Sequence, residues 1–270
     1  MKEALKINDI IAAIEAFAPL AWQEEWDNSG IQVGDVQQPL KGIVLCVDVT
    51  EEVLDTAIAK GYNLILSHHP LLFKPLSSIQ GRNYVERCVI KACKHDIVIY
   101  AAHTNFDSAP QGVSFRLAQK LGLTGIEPLN PQPGILSPTG EAVGIGVVGN
   151  LPEAMPPEQF LKKIQSTFSL QRLPYAEGIH KPVKKVAICS GSGGSVKKAA
   201  IAAQADVLLT GEAKYNDYLD AAGNLLLVTI GHFESEACTI DIFCDIIRKN
   251  FTTFAPDIVR IYTNPVKYLE

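Results

Sequence analysis

Short β-branched runs alternate with stretches of helical period, and this alternation occurs twice along the chain. Residues 42–48 (GIVLCVD) read as strand, 51–60 as helix, 63–67 (NLILS) as strand, 84–94 as helix and 97–102 (IVIYAA) as strand. The order returns from Lys185, with KVAICS as strand, 195–204 as helix, 206–210 (DVLLT) as strand, 214–222 as helix and 225–230 as strand. Strands this uniformly apolar need both faces covered, which specifies largely parallel sheets flanked by helices. The expected fold is therefore α/β, made of two duplicated lobes.

Residues 129–138 (LNPQPGILSP) and 151–157 (LPEAMPP) are rich in proline and glycine and read as loops around a strand-like GIGVVGN. The run 70–83 reads as an extra loop of the first half, and 113–121 as a core-facing amphipathic helix. A last strand at 258–263 is expected to rejoin the first sheet. The division is thus interleaved: 1–128 with 255–270 as one lobe, 129–254 as the other.

Composition narrows the function classes. Of 270 residues 47% are hydrophobic and 20% charged, enough for a sizeable core and too apolar for disorder. A net charge of -5 offers no clustered cationic face, so there is no strong nucleic-acid signal, although a local basic pocket stays open. The N-terminal MKEALKINDIIAAIEAF reads as an amphipathic helix, and no apolar run reaches the roughly 18 residues of a membrane span. Six cysteines form no CxxC pair, and several sit in apolar runs. Buried thiols in a reducing cytoplasm are expected.

The two halves match at their strand ends. After the first strand come Asp48 and Ser190, after the second His68-His69 and Gly211-Glu212, after the third His103 and His232. Open α/β sheets bind ligands at those ends. His103 and Asp107, like His232 and Glu236, stand four residues apart, so a helix there would put each pair on one face as a clip for an ion. Adjacent His68 and His69 leave an extended backbone in opposite directions, which suits one imidazole for each of two ions. Nitrogen and oxygen donors without thiolate point to Zn, Fe, Mn or Co. His95 and His180 lie in surface-like contexts.

Two loops stay open in meaning. Residues 191–195 (GSGGS) form either an anion cradle or a tight turn with Ser195 as helix N-cap. Glu212 is either a carboxylate at the site mouth that moves protons or a solvated loop acid. The run 26–30 (WDNSG), taken alone, is a turn.

Together WDNSGIQVGD (26–35), SHHP (67–70), HTNFD (103–107), SGSGG (190–194), TGEAKY (210–215) and GHFESE (231–236) resemble the GTP cyclohydrolase I type 2 homologues, or Ngg-interacting-factor-three-like family, over nearly the whole length. The resemblance implies a dinuclear metal site between the lobes, with two divalent ions on His68, His69, Asp107, His232 and Glu236 and a carboxylate bridging them. His103 is then either a ligand or the partner that orients Asp107. It also implies a ring-shaped homohexamer, with this chain as the short form lacking an inserted middle domain. Relatives often carry a histidine near Asn216, which is missing from the run 214–217 (KYND) and weakens that helix as a source of a general acid.

The expected function is a cytoplasmic metal-dependent hydrolase of a small nucleotide-like or heterocyclic substrate. In the cyclohydrolase version a purine imidazole ring opens and formate leaves, with Glu212 or His103 carrying protons. The rivals are a metal-binding regulatory or metal-handling protein without turnover, and an assembly protein acting through its hexamer.

Overall fold

Buried β-branched runs become strands, and the polar residues that bound them become caps. The computed structural model describes residues 5–176, 178, 181–252 and 256–269, so His180 lies outside the described residues. In chain order the elements begin α1 (Ile7–Phe17), β1 (Gly30–Val33), β2 (Ile43–Cys46), α2 (Glu51–Lys60), β3 (Leu64–Ser67), α3 (Tyr84–Lys94), β4 (Val98–Ala101), α4 (Thr104–Ser108) and α5 (Val113–Lys120). They continue β5 (Thr124–Leu136), β6 (Ala142–Met155), α6 (Pro157–Thr167), β7 (Tyr175–Ala176), β8 (Val183–Cys189), α7 (Lys197–Ala202) and β9 (Val207–Thr210). Last come α8 (Tyr215–Ala221), β10 (Leu226–Thr229), α9 (His232–Glu236), α10 (Cys238–Asn250) and β11 (Ile258–Arg260).

The chain forms two compact units, Met1–Phe106 with Thr239–Glu270, and Asp107–Cys238. Compared with the division expected from sequence, α5 falls in the second unit, where it packs on β6 and β8. Most of α10 falls in the first, where Phe243 meets Phe106 at 4.8 Å between ring centroids.

The first unit's sheet runs β1-β4-β3-β2-β11, with β4, β3, β2 and β11 parallel and β1 antiparallel at the edge. The last strand does join the first sheet. The second unit's sheet runs β5-β6-β8-β9-β10-β7, with β8, β9 and β10 parallel and the other three antiparallel to their neighbours. Both units therefore contain three parallel strands in the same order, β2-β3-β4 and β8-β9-β10. Register levels their ends: Cys46 pairs with Ser67 and Ser67 with Ala101, while Cys189 pairs with Thr210 and Thr210 with Thr229. Every residue of β2, β3, β4, β9 and β10 is buried. At roughly 1.5–3 kcal/mol per fully buried large aliphatic side chain, this holds the strand ends firmly.

Helix bounds follow local chemistry. Thr50 accepts a hydrogen bond from the Val53 N–H to open α2, Gly61 closes it in the left-handed region, and Asn83 caps α3 through Glu86 N–H.

The two proline-rich segments are corrections. Residues 129–136 lie in β5 and 151–155 in β6, the two arms of a long hairpin, where loops were expected. β5 is an edge strand with a ladder on one side only, which is where a sheet tolerates Pro128, Pro131 and Pro133. The β6 run reaches Met155 through a register shift after Asn150 and stops at Pro156, which precedes α6. The helix expected over 195–204 is shorter: Gly193–Val196 is a 3-10 turn and α7 follows, so Ser195 is not an N-cap.

Candidate metal centre

At the carboxyl ends of β3 and β4 three imidazoles gather. His68 and His69 follow β3, His103 follows β4, and their ring centroids lie 5.1, 5.2 and 5.4 Å apart. One donor nitrogen of each lies within 4.8 Å of the others, against about 3.3 Å for two nitrogens on one tetrahedral ion at roughly 2.0–2.1 Å, so the set could hold a metal ion once the rings draw together.

What fits these rings to that task is the state of their other nitrogen. His68 Nδ1 is 2.9 Å from the Ala102 carbonyl, which can only accept, so Nδ1 carries the proton and Nε2 the lone pair. His69 Nδ1 donates to Asp48 Oδ1 at 2.8 Å, and His103 Nδ1 to Asp27 Oδ1 at 2.8 Å. Carboxylate partners of this kind fix ring orientation and raise the basicity of the coordinating nitrogen.

Asp27 is the better braced of the two carboxylates. Its side chain is fully buried, and it accepts from Asn28 N–H, the Ser29 hydroxyl, and both the N–H and hydroxyl of Thr104. Burial pushes its pKa up, but the hydrogen bond and charge of His103 together with the Thr104 donors outweigh that and hold it well below the usual carboxylate range.

In the second unit His232 opens α9 and Glu236 closes it. His232 Nε2 lies 3.2 Å from Glu236 Oε2, so the two side chains share one face of α9, and Glu236 is only 2% exposed. His232 Nδ1 is 3.3 Å from Glu212 Oε2, repeating at Nδ1 the carboxylate contact seen in the first unit. Asp107, on α4, accepts from the Ser190 hydroxyl at 2.8 Å, and Ser190 is held in turn by Ser114, with hydroxyl oxygens 3.0 Å apart and its own N–H donating to Ser114.

The glycine-rich loop 190–194 serves this arrangement structurally. A Cβ on Gly191 would run into Glu236 Oε1, and its φ of +60° is left-handed. Gly191 N–H donates to Ser235 Oγ and Gly193 N–H to Thr210 Oγ1, so two of its amides are spent on the protein itself. Cys46 and Cys189, equivalent last residues of β2 and β8, are buried. Burial first, and then the nearby carboxylates, push both thiols up, which disfavours thiolate ligation.

The structure thus groups His103 with His68 and His69, and Asp107 with Ser190. His95 is exposed at the end of α3, as expected. The orienting role of Asp27 was missed because WDNSG reads locally as a turn 76 residues from His103. Asp48 and Ser190 were visible as strand-end landmarks, and their matched position was the available signal.

Comparison with known proteins identifies the family. The Duf34/NIF3 (NGG1p interacting factor 3) family matches residues 5–265. A Clostridium perfringens protein named GTP cyclohydrolase 1 type 2 homolog is 38% identical over 242 residues, covering 86% of this chain and 87% of that one. NIF3-like protein 1 of Drosophila melanogaster is 32% identical over 250 residues, covering 91% and 82%. Among solved structures, the Staphylococcus aureus hypothetical protein SA1388 superposes with a TM-score of 0.87 at 28% identity, covering 99% of this chain and 100% of that one. Reduced HcgD from Methanocaldococcus jannaschii does so with a TM-score of 0.79 at 26% identity, covering 96% and 99%. On the family match and these relatives, the chain belongs to the Duf34/NIF3 family.

Proposed function

We propose that this protein is a metal-dependent hydrolase with two divalent ions, Zn, Fe, Mn or Co, held on His68, His69, Asp107, His232 and Glu236, with His103 as a further nitrogen donor. Its substrate is a small nucleotide-like or heterocyclic molecule. The observation that carries this reading is the uniform engagement of Nδ1: Ala102 O, Asp48, Asp27 and Glu212 each meet one of the four imidazoles there. A protein that needed these histidines only for packing has no reason to repeat that contact four times.

Bound divalent ions supply Lewis acidity toward an electrophile and toward water. The chain's own residues do the rest. Ser190 aims Asp107, Glu236 and His232 share one face of α9, and Glu212 holds the His232 ring. With 59% of its side chain in solvent, Glu212 is also the group suited to carry a proton between site and water. The relatives' shared name makes a purine nucleotide the first substrate to try, though fold and donor set do not fix a reaction. A ring-shaped homohexamer belongs to the same proposal, as does a reducing cytoplasm, which the free state of all six thiols supports. Among the described residues no helix is long and apolar enough to cross a membrane.

The test is elemental analysis of protein purified without chelator and then reconstituted with each metal. About two ions per chain are expected, and trace stoichiometry after reconstitution removes the reading. A screen of nucleotides, heterocycles and phosphoesters follows: turnover should vanish with chelator, return with metal, and fall in Glu212→Gln while metal content stays. No turnover by fully metallated protein hands the site to the metal-handling reading. Light scattering checks the assembly, with six chains expected and a lone chain overturning it.

A further inference from the structure

Trp26 and Phe73 are 60% and 48% exposed, which forgoes the burial that ordinarily stabilises rings of this size. They are nevertheless held in place. Asn28 Nδ2 donates to Leu72 O at 2.7 Å, Gln32 Nε2 donates to Asn28 O at 2.7 Å, and Leu72 N–H donates to Gln32 Oε1 at 3.1 Å. These bonds tie the segment carrying Trp26 to the one carrying Phe73. The ring centroids lie 5.9 Å apart, tilted by 38°.

Both rings end on the imidazole cluster. Trp26 meets His103 at 6.0 Å and 77°, and Phe73 meets it at 5.8 Å and 71°. Trp26 also precedes Asp27, the carboxylate that fixes His103. One short segment therefore supplies an exposed aromatic face, the brace of His103 and the tie to the neighbouring loop. A third ring does not fit between the two, since a sandwich needs about 7–8 Å at a contact spacing of roughly 3.5–4.0 Å. A ligand ring would lie on the outer face.

We propose that Trp26 and Phe73 form a stacking subsite that receives one planar heteroaromatic ring beside His103 and the imidazole cluster. The proposal rests on the hydrolase reading and deepens it by naming the part of the substrate held and the residues that hold it. A ring parallel to Trp26 stands at about a right angle to His103 and within reach of the imidazole cluster. Stacking of this kind tolerates any base, because each has a π face, and it positions the ring without spending a charged group.

The chain has two tryptophans, and Trp22 is only 6% exposed, so Trp22→Phe leaves Trp26 as the sole reporter. Adenosine is titrated into this variant, metal-loaded and chelator-stripped, with ribose as control. Saturable quenching by adenosine and none by ribose is expected. Calorimetry on otherwise wild-type protein reads the same event if Trp22→Phe folds poorly: Trp26→Ala and Phe73→Ala should each bind adenosine about 5- to 100-fold more weakly, and Trp26→Phe within about threefold of wild type. Metal content should be unchanged in all three. Persistence of adenosine binding in stripped protein keeps the subsite even where no hydrolysis is found, so the two readings fail separately. Equal binding of ribose and adenosine, or undiminished adenosine binding in both alanine variants, overturns the proposal. So does a ligand-free Trp26 emission that shifts to the blue as protein concentration rises, because a second copy of the chain would then cover the face.

Discussion

The two units carry the same three parallel strands yet offer opposite chemistry at their ends. After β3 and β4 the first unit presents three imidazoles, and its carboxylates, Asp27 and Asp48, stand behind them at Nδ1. After β10 the second unit presents a carboxylate beside an imidazole, Glu236 buried next to His232, while Asp107, on α4 after β4, is held by Ser190 at the end of β8. A shared strand order fixes where side chains emerge but not what they are. The two divalent ions proposed above would need both neutral nitrogen and anionic oxygen, since nitrogen alone would leave their charge uncompensated.

The largest break in that comparison comes from removing the oxygen donors. Asp107→Ala and Glu236→Ala should each lower metal affinity by more than about 100-fold, beyond the 10–100-fold typical of outer partners, with His95→Ala unchanged. Metal titration followed by elemental analysis checks it. Equal metal content in all three variants would mean the second unit supplies no ligand.

A smaller effect separates the braces. Asp27→Asn and Asp48→Asn keep shape and should reduce metal affinity by about 10–100-fold. Asp27 should matter more, because its carboxylate is fully buried under five donors whereas the Asp48 side chain is 43% exposed. Glu212→Gln, whose carboxylate is more exposed at 59% and farther from its ring at 3.3 Å, should leave metal content unchanged. The same titration on the three variants gives the ranking, and a ranking with Asp27 last would show that burial does not set the strength of the brace.

Where the sequence was legible, local chemistry was enough. Thr50, Gly61 and Asn83 mark α2 and α3 because each satisfies a backbone group or adopts a conformation within one turn. The strand ends could be read because the buried runs stop abruptly at polar residues. The hairpin could not: prolines that break a central strand sit harmlessly on an edge, and which strand is an edge is a property of the whole sheet. Gly144 shows the same limit, since its role is to let the Asn130 backbone approach across that hairpin. Candidate ligands were visible as residue types at strand ends, while Asp27 required the fold, because only β1 and β4 pairing side by side brings WDNSG to His103.

The smallest effect tests the comparison away from the centre. Asn63 precedes β3 and reaches back to Lys41 just before β2, while Asp206 precedes β9 and reaches back to Lys184 and Lys185 at the start of β8. Asn63 Oδ1 accepts from Lys41 N–H at 2.8 Å, while Asp206 Oδ2 accepts from Lys184 and Lys185 N–H at 2.9 and 2.8 Å, with Lys181 Nζ 2.7 Å from Oδ1. One tie is neutral and the other charged. Burial raises the Asp206 pKa, but the Lys181 contact and the two amides outweigh it, so the folded pKa lies below the usual carboxylate range. A depressed carboxyl contributes stability that is fully present above the unfolded pKa and drains away as pH falls through the folded one. Acid should therefore loosen the Lys184 and Lys185 amides before it loosens the Lys41 amide, and hydrogen exchange followed from pH 7 downward should show this. Asp206→Asn should abolish the difference in pH dependence at a cost of about 1 kcal/mol or less at neutral pH, the scale of one hydrogen bond exchanged for a weaker neutral one. If the Lys41 amide loosens in step with the other two, the charged tie adds nothing that the neutral one lacks.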